Sequence, residues 1–158
     1  MRALFIIVVA GVVATGACGA DLKLPLAPGL NDVAVLVGAG DIAVCGSGGA
    51  MATGRLLDGL PGTIFIPGDI AYPEGTAEQF QNCYEPAWGR HKDRTRPAPG
   101  NHEYGSPGAA PYFAYFGSSA GAAGLGYYTY RKGTWQVFSL NSNGDSVDIY
   151  RFKVTSTG

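Results

Sequence analysis

Charge and histidine are what this chain has least of. Of its 158 residues only 15% are Asp, Glu, Lys or Arg, the net charge is −1, and Lys and Arg never form a run. That balance gives no electrostatic footing for nucleic acid or for an anionic membrane surface. Histidine occurs twice, as His91 and His102, and cysteine three times, as Cys18, Cys45 and Cys83. No pair of cysteines has the CxxC spacing of a redox dithiol or a zinc knuckle. The apolar run Ala3–Val13 is too short to cross a bilayer, and no internal repeat is present. What the chain does have is glycine, 25 residues, proline, 10, and a hydrophobic share of 46%. Such a composition fits a loop-rich globular domain with a core, and the length allows one domain or less.

Residues 1–20 read as a signal peptide. Arg2 supplies the positive start, Ala3–Val13 the apolar centre, and Ala14-Thr15-Gly16-Ala17-Cys18-Gly19-Ala20 the small residues that a signal peptidase requires. Two cleavages fit. One resembles a bacterial lipobox and would leave Cys18 lipidated at the new N-terminus, the other falls before Asp21. Membrane contact is expected only through that lipid anchor. The expected destination is exported: secreted, periplasmic or cell-surface. An oxidising compartment permits a Cys45–Cys83 bridge, worth roughly 3–4 kcal/mol in the chain-entropy account. Two buried free thiols are the alternative.

Residues 21–31 form a Pro-punctuated linker, and residues 32–158 are read as the domain. Val33-Ala34-Val35-Leu36-Val37-Gly38 is a β-branched run with the character of a strand buried on both faces. A Gly-rich turn, Cys45–Gly49, leads to a helix over Ala50–Leu57. Thr63-Ile64-Phe65-Ile66-Pro67 is a second buried strand. Thr76 caps a helix to Tyr84 that places Phe80, Cys83 and Tyr84 on one face. The basic stretch Arg90–Arg96 reads as a solvated connector with His91 at the surface, and a short strand follows near Thr95–Ala98. Gly105–Gly126 is expected to be a long loop with one short helix near Tyr112–Phe116. Gly126–Tyr130 and Thr134–Leu140 form a hairpin, and the residues from Asn141 onward are polar and weakly patterned. Strand–helix alternation predicts an α/β fold with a mainly parallel first sheet.

Each of the first three strands ends alike: Gly40-Asp41, then Gly68-Asp69-Ile70-Ala71-Tyr72, then Gly100-Asn101-His102-Glu103. In a parallel sheet these C-terminal ends share one edge, where open α/β sheets bind ligands. Carboxylates, a phenol, an amide and an imidazole would meet there, a donor set for hard or borderline cations. Glu103 and Tyr104 are placed to support them, and Tyr112 and Tyr115 belong either to a cleft or to the core. Trp88, Trp135 and the tyrosines of 127–130 read as core or hairpin-face residues. Gly38, Gly40 and Ala43 also spell GxGxxA, but a dinucleotide site needs its helix to begin inside that turn, and Cys45–Gly49 delays it.

GDxxY and GNHE, with the preceding GD, resemble the first three signature blocks of the calcineurin-like metallophosphoesterases, and Tyr72 is similar to the purple acid phosphatase branch. The resemblance covers roughly residues 33–141. It implies a sandwich of two mixed sheets flanked by helices, two metal ions (Fe, Mn or Zn) and a small phosphate ester as substrate. On that resemblance Asp69 bridges both metals, Asp41 and Tyr72 bind the first, Asn101 binds the second, and His102 gives a proton to the leaving oxygen. The resemblance has gaps. Ala43 stands where many members carry His, and no His follows His102 to serve the later VxxH and GHxH blocks. The chain is therefore expected to be a truncated or partial form with an incomplete second sheet. An exported, non-catalytic metal- or phosphate-binding protein is the alternative.

Overall fold

From Leu36 onward strand and helix alternate. β1 (Leu36–Gly38) and β2 (Ala43–Val44) precede α1 (Gly48–Asp58), and β3 (Thr63–Ile66) and β4 (Ala71–Tyr72) precede a long helical run. That run opens as α2 (Ala77–Gln79), widens to a π turn over Phe80–Tyr84, and continues through α3 (Glu85–Trp88) into a 3-10 stretch, Gly89–Arg94. β5 (Thr95–Pro97), α4 (Ala110–Phe116) and the strands β6 (Tyr128–Lys132) and β7 (Trp135–Ser139) complete the order. The computed structural model describes residues 34–133 and 135–143, all in a unit that begins at Ala34. The expected signal segment 1–20 with Cys18, the linker 21–31 and the tail from Gly144 lie outside the described residues.

The sheet has the order β1-β3-β5 and is parallel throughout, as the alternation predicts. A second small parallel pair joins β2 to β4, with Ala43 opposite Ala71, and β6 and β7 form the expected antiparallel hairpin. The strands are less buried than their β-branched runs imply. Leu36 is exposed in β1, an edge strand of the sheet among the described residues. In β3 only Ile64 and Ile66 are buried while Thr63 and Phe65 are half-exposed, so one face of the sheet carries the core among the described residues.

Thr76 caps α2 through a full capping box. Its hydroxyl accepts from the Gln79 N–H at 3.2 Å, and the Gln79 side chain accepts from the Thr76 N–H at 3.1 Å. The helix does not stop at Tyr84. Pro86 has no N–H to offer the carbonyl four residues back, and the chain widens to the π turn and then goes on. Phe80, Cys83 and Tyr84 are buried as the periodicity requires. Cys83 pairs with Cys45 in a disulfide, Cα to Cα 4.8 Å, tying the end of β2 to the π turn.

The basic stretch is not a solvated connector. The Arg90 guanidinium grips Asp58 through two bonds of 2.7 and 3.0 Å. Arg94 donates to the carbonyl of Leu57 in the last turn of α1 and to those of Leu60 and Gly62 in the loop that follows, at 2.7–3.0 Å, so its planar fork ties the end of the helix to that loop. His91, expected at the surface, is buried with Nε2 3.2 Å from the Gly54 carbonyl. The core proper is aromatic and aliphatic, with Tyr84, Tyr112, Phe80, Ile64, Ile66 and Ile70 fully buried. Tyr112 therefore belongs to the core, its hydroxyl donating to the Pro97 carbonyl at 3.1 Å. Tyr115 stacks on Phe80 with centroids 5.1 Å apart. Trp88 is buried, its Nε1 donating to Ala50 and Thr53 of α1, whereas Trp135 sits exposed on the hairpin.

Candidate metal centre

All three parallel strands run out at one rim. After β1 comes Gly40-Asp41, after β3 Gly68-Asp69, and after β5 Gly100-Asn101-His102. Asp41 and Asp69 share one unusual backbone shape, each with φ of 55°. A residue other than glycine in this left-handed region costs about 1 kcal/mol or more, tolerated best by Asp and Asn and concentrated at functional sites. The two turns lie side by side, because the Ile42 N–H donates to the Asp69 carbonyl and the Ala43 N–H to the Ile70 carbonyl, both at 3.0 Å. The third turn is pressed against the second. A Cβ on Gly100 would stand 2.0 Å from Asp69 Oδ1, and one on Gly68 would stand 2.8 Å from the Gly100 Cα.

The side chains follow the backbone into contact. The Tyr72 hydroxyl donates to Asp41 Oδ1. Asp69 Oδ1 accepts from the His102 N–H at 3.3 Å. The rings of Tyr72 and His102 lie 4.2 Å apart. His102 Nδ1 is 2.6 Å from the Pro73 carbonyl. A carbonyl only accepts, so Nδ1 carries the proton and Nε2 is left for other work. Asn101 is exposed and sits between Gly100 and His102, both of which are packed against Asp69. Asp41, Asp69, Tyr72 and Asn101-His102 are thus brought to one rim.

Electrostatically the rim is a place for positive charge. Partial burial pushes the Tyr72 phenol well above its ordinary range, and the bond to Asp41 and the charges of Asp69 and Asp41 push it further. With no cation nearby the phenol keeps its proton and lends it to Asp41. That contact also bears on fit. A phenol oxygen and a carboxylate oxygen in hydrogen-bond contact are at the separation of neighbouring donors around one small cation, so one ion can take both by displacing the shared proton. The donor set is nevertheless thin. Among the described residues no group of three or more His, Cys, Asp or Glu is gathered to hold a metal ion. His91 cannot add to it, since it bonds Gly54 on α1 at the other edge of the sheet. A cavity of about 490 Å³ lined by Asp58–Gly62, His91 and Arg94 lies there as well, and its arginine is already bonded to the carbonyls of Leu57, Leu60 and Gly62.

Glu103 plays a larger part than its position beside the His102 motif foretold. It is fully buried, yet its carboxylate accepts from the N–H groups of Asp69, Ile70, Ala71 and Gly100 at 2.7–3.2 Å. Burial pushes its carboxyl above the ordinary range, and the N–H donors of Gly100, Ile70 and Ala71 oppose that push. The Tyr104 hydroxyl, expected to support the rim, instead accepts from Asn141 Nδ2 at 2.8 Å. Asn141 and Asn143 were not foreseen at all. Asn143 Nδ2 donates to the Pro99 carbonyl at 3.2 Å and so fastens the segment after β7 to the third turn. Their only trace in the sequence is a pair of amides spaced by one residue just past the hairpin.

No family model matches the sequence, and no curated protein or solved structure gives a match either.

Proposed function

We propose that this rim binds divalent or trivalent metal ions, two of them drawn from Fe, Mn and Zn, and that the chain acts on small phosphate esters as an exported metal-dependent phosphoesterase. The architecture we infer is the calcineurin-like sandwich of the purple acid phosphatase type. The supporting observation is the twin left-handed turns, Asp41 and Asp69, on adjacent parallel strands, with Tyr72 on the first carboxylate and His102 on the second.

In this reading Asp69, central among the three turns, would serve both ions. Asp41 and Tyr72 would hold one, and Asn101 would help to hold the other. Bound metal ions would fix the phosphate, acidify a water toward neutrality and offset charge during in-line attack. With Nδ1–H held by the Pro73 carbonyl, His102 would give a proton to the departing oxygen from Nε2 when both ring nitrogens are protonated. Glycine at positions 68 and 100 lets the second and third turns close on one another, since a Cβ at either position would meet the neighbouring turn.

A second reading is an exported protein that binds metal or phosphate without turning anything over. That no group of three or more His, Cys, Asp or Glu is gathered to hold a metal ion, among the described residues, favours it. One experiment separates the two. The full chain, stripped of metal, is titrated calorimetrically with Mn²⁺ and Zn²⁺ and assayed on a chromogenic phosphate monoester and diester. The enzyme reading expects uptake and metal-dependent turnover, both lost in Asp69→Asn. Uptake without turnover supports the binding protein. No metal uptake by the wild type ends the enzyme reading and the metal-binding form of the second.

A further inference from the structure

Backbone pairing holds the first two turns of the rim together, but it gives out before the third. β5 bonds to β3 as far as the Ala98 N–H on the Ile66 carbonyl, 2.7 Å. Beyond that point the third turn is held by the His102 N–H on Asp69 Oδ1, 3.3 Å, and by one buried carboxylate that takes four N–H groups. Glu103 Oε1 accepts from Ile70 and Ala71 at 2.8 and 3.2 Å, and Oε2 accepts from Asp69 and Gly100 at 3.1 and 2.7 Å. One oxygen thus faces the chain just after Asp69, and the other spans from Asp69 to Gly100. The fit is close on the far side as well, since a Cβ on Gly75 would meet the Glu103 Cα at 2.6 Å.

We propose that Glu103 is a positioning residue. Its carboxylate sets the distance between the Asp69 turn and the Asn101-His102 turn, and so sets the affinity of the rim for a cation that it never touches. The proposal rests on the metal reading above and adds the group on which its geometry depends. The chemistry is specific to a carboxylate. Four N–H donors need acceptors, and a carboxylate offers them with both oxygens. An amide in the same place would turn its NH₂ toward two of those donors and leave them unpaired in a buried site. The turns would then drift apart while the sheet beneath, built on Ile64 and Ile66, kept its pairing.

The test compares wild type with Glu103→Gln, both as the full metal-free chain, by two readouts. The first is Mn²⁺ affinity by calorimetry. Residues that orient metal ligands change affinity by about 10- to 100-fold when lost, and a loss in that range is expected for Glu103→Gln. The second is amide hydrogen exchange. Protection should fall at Asp69, Ile70, Ala71 and Gly100 while Ile64 and Ile66 in β3 keep theirs. Equal Mn²⁺ affinity in the two proteins overturns the proposal. So does a loss of protection spread evenly over the whole sheet, which would make Glu103 a general stabilising group. If the wild type takes up no Mn²⁺, the metal reading fails, and the exchange pattern still decides whether Glu103 spaces the turns. If Glu103→Gln does not fold, Glu103→Asp carries the same readouts. It keeps both oxygens but sets them back by one methylene, and unchanged affinity and exchange in that variant count against the proposal.

Discussion

Gly100→Ala offers a clean measure of how tightly the rim is built. The added Cβ would stand 2.0 Å from Asp69 Oδ1 and 2.3 Å from the Asp69 backbone nitrogen. The carboxylate could swing aside, but the nitrogen is main chain and held by Glu103. Restoring an ordinary contact of 3.4 Å requires the two turns to part by more than 1 Å. Gly100 itself is outside the left-handed region, so backbone strain adds nothing and the clash acts alone. Overpacking of this kind costs about 1–3 kcal/mol. The entropy that Ala removes from the unfolded chain returns about 0.4–1 kcal/mol. Gly48→Ala is the matched control, since nothing lies within 4 Å of a Cβ there, and only the favourable entropy remains. The two variants should differ by about 2 kcal/mol, or roughly 10 °C in Tm for a domain of this size. Urea and thermal melts of both supply the number, and Mn²⁺ titration should show weaker uptake by Gly100→Ala alone. Equal melting and equal uptake would mean that the Asp69 and Gly100 turns are not in contact, and the case for a shared cation would go with them.

Three further outcomes can be checked. Tyr72→Phe removes the hydroxyl given to Asp41 from a half-exposed site, so stability should change by less than about 1 kcal/mol. Added Fe³⁺ should produce a phenolate absorption band in the wild type and none in the variant, and an unaltered band excludes Tyr72 as a ligand. The Arg90 guanidinium beside Asp58 holds its carboxyl below the usual range. The stability this contributes is present above the unfolded-state value and is lost as pH falls through the lower folded value. Wild type and Asp58→Asn should therefore differ slightly at pH 6 and converge in strong acid, and a gap that persists there contradicts the assignment. Finally, non-reduced mass spectrometry should find the chain, expressed in an oxidising compartment, two hydrogens lighter than its thiol form. Reduction of Cys45–Cys83 should cost roughly 3–4 kcal/mol, and two alkylatable thiols in the untreated protein would refute the bridge.

The rim was legible before the structure because its signal is carried by side chains at strand ends. A β-branched run followed by Gly-Asp, twice, and by Gly-Asn-His once, can only bring those groups together if the strands are parallel. The capping box at Thr76 and the hairpin of β6 and β7 were legible for a similar reason, each being written in local residue choice. What stayed hidden is what depends on main-chain partners. Arg94 looks like a solvated charge until the carbonyls of Leu57, Leu60 and Gly62 are seen around it. His91 looks like a surface residue until Gly54 supplies a buried acceptor. The helix capped at Thr76 looks finished at Tyr84, yet a π turn carries it on through Pro86. The exposure of β1 reflects its place at the edge of the sheet, which no residue of β1 encodes.

The same division sorts the rim by the effect each residue should have when changed. Asp41, Tyr72 and Asn101 are exposed or half-exposed, so replacing them should cost binding and little stability. Gly100 and Glu103 meet the neighbouring turn through main-chain atoms, so replacing them should cost both. Asp69 stands between the classes, because its carboxylate also accepts from the His102 N–H. Asp69→Asn keeps an acceptor oxygen for that bond and removes the charge. A variant that folds like the wild type and takes up no metal would therefore place the function of Asp69 in its charge, since its part in holding the turn survives the substitution.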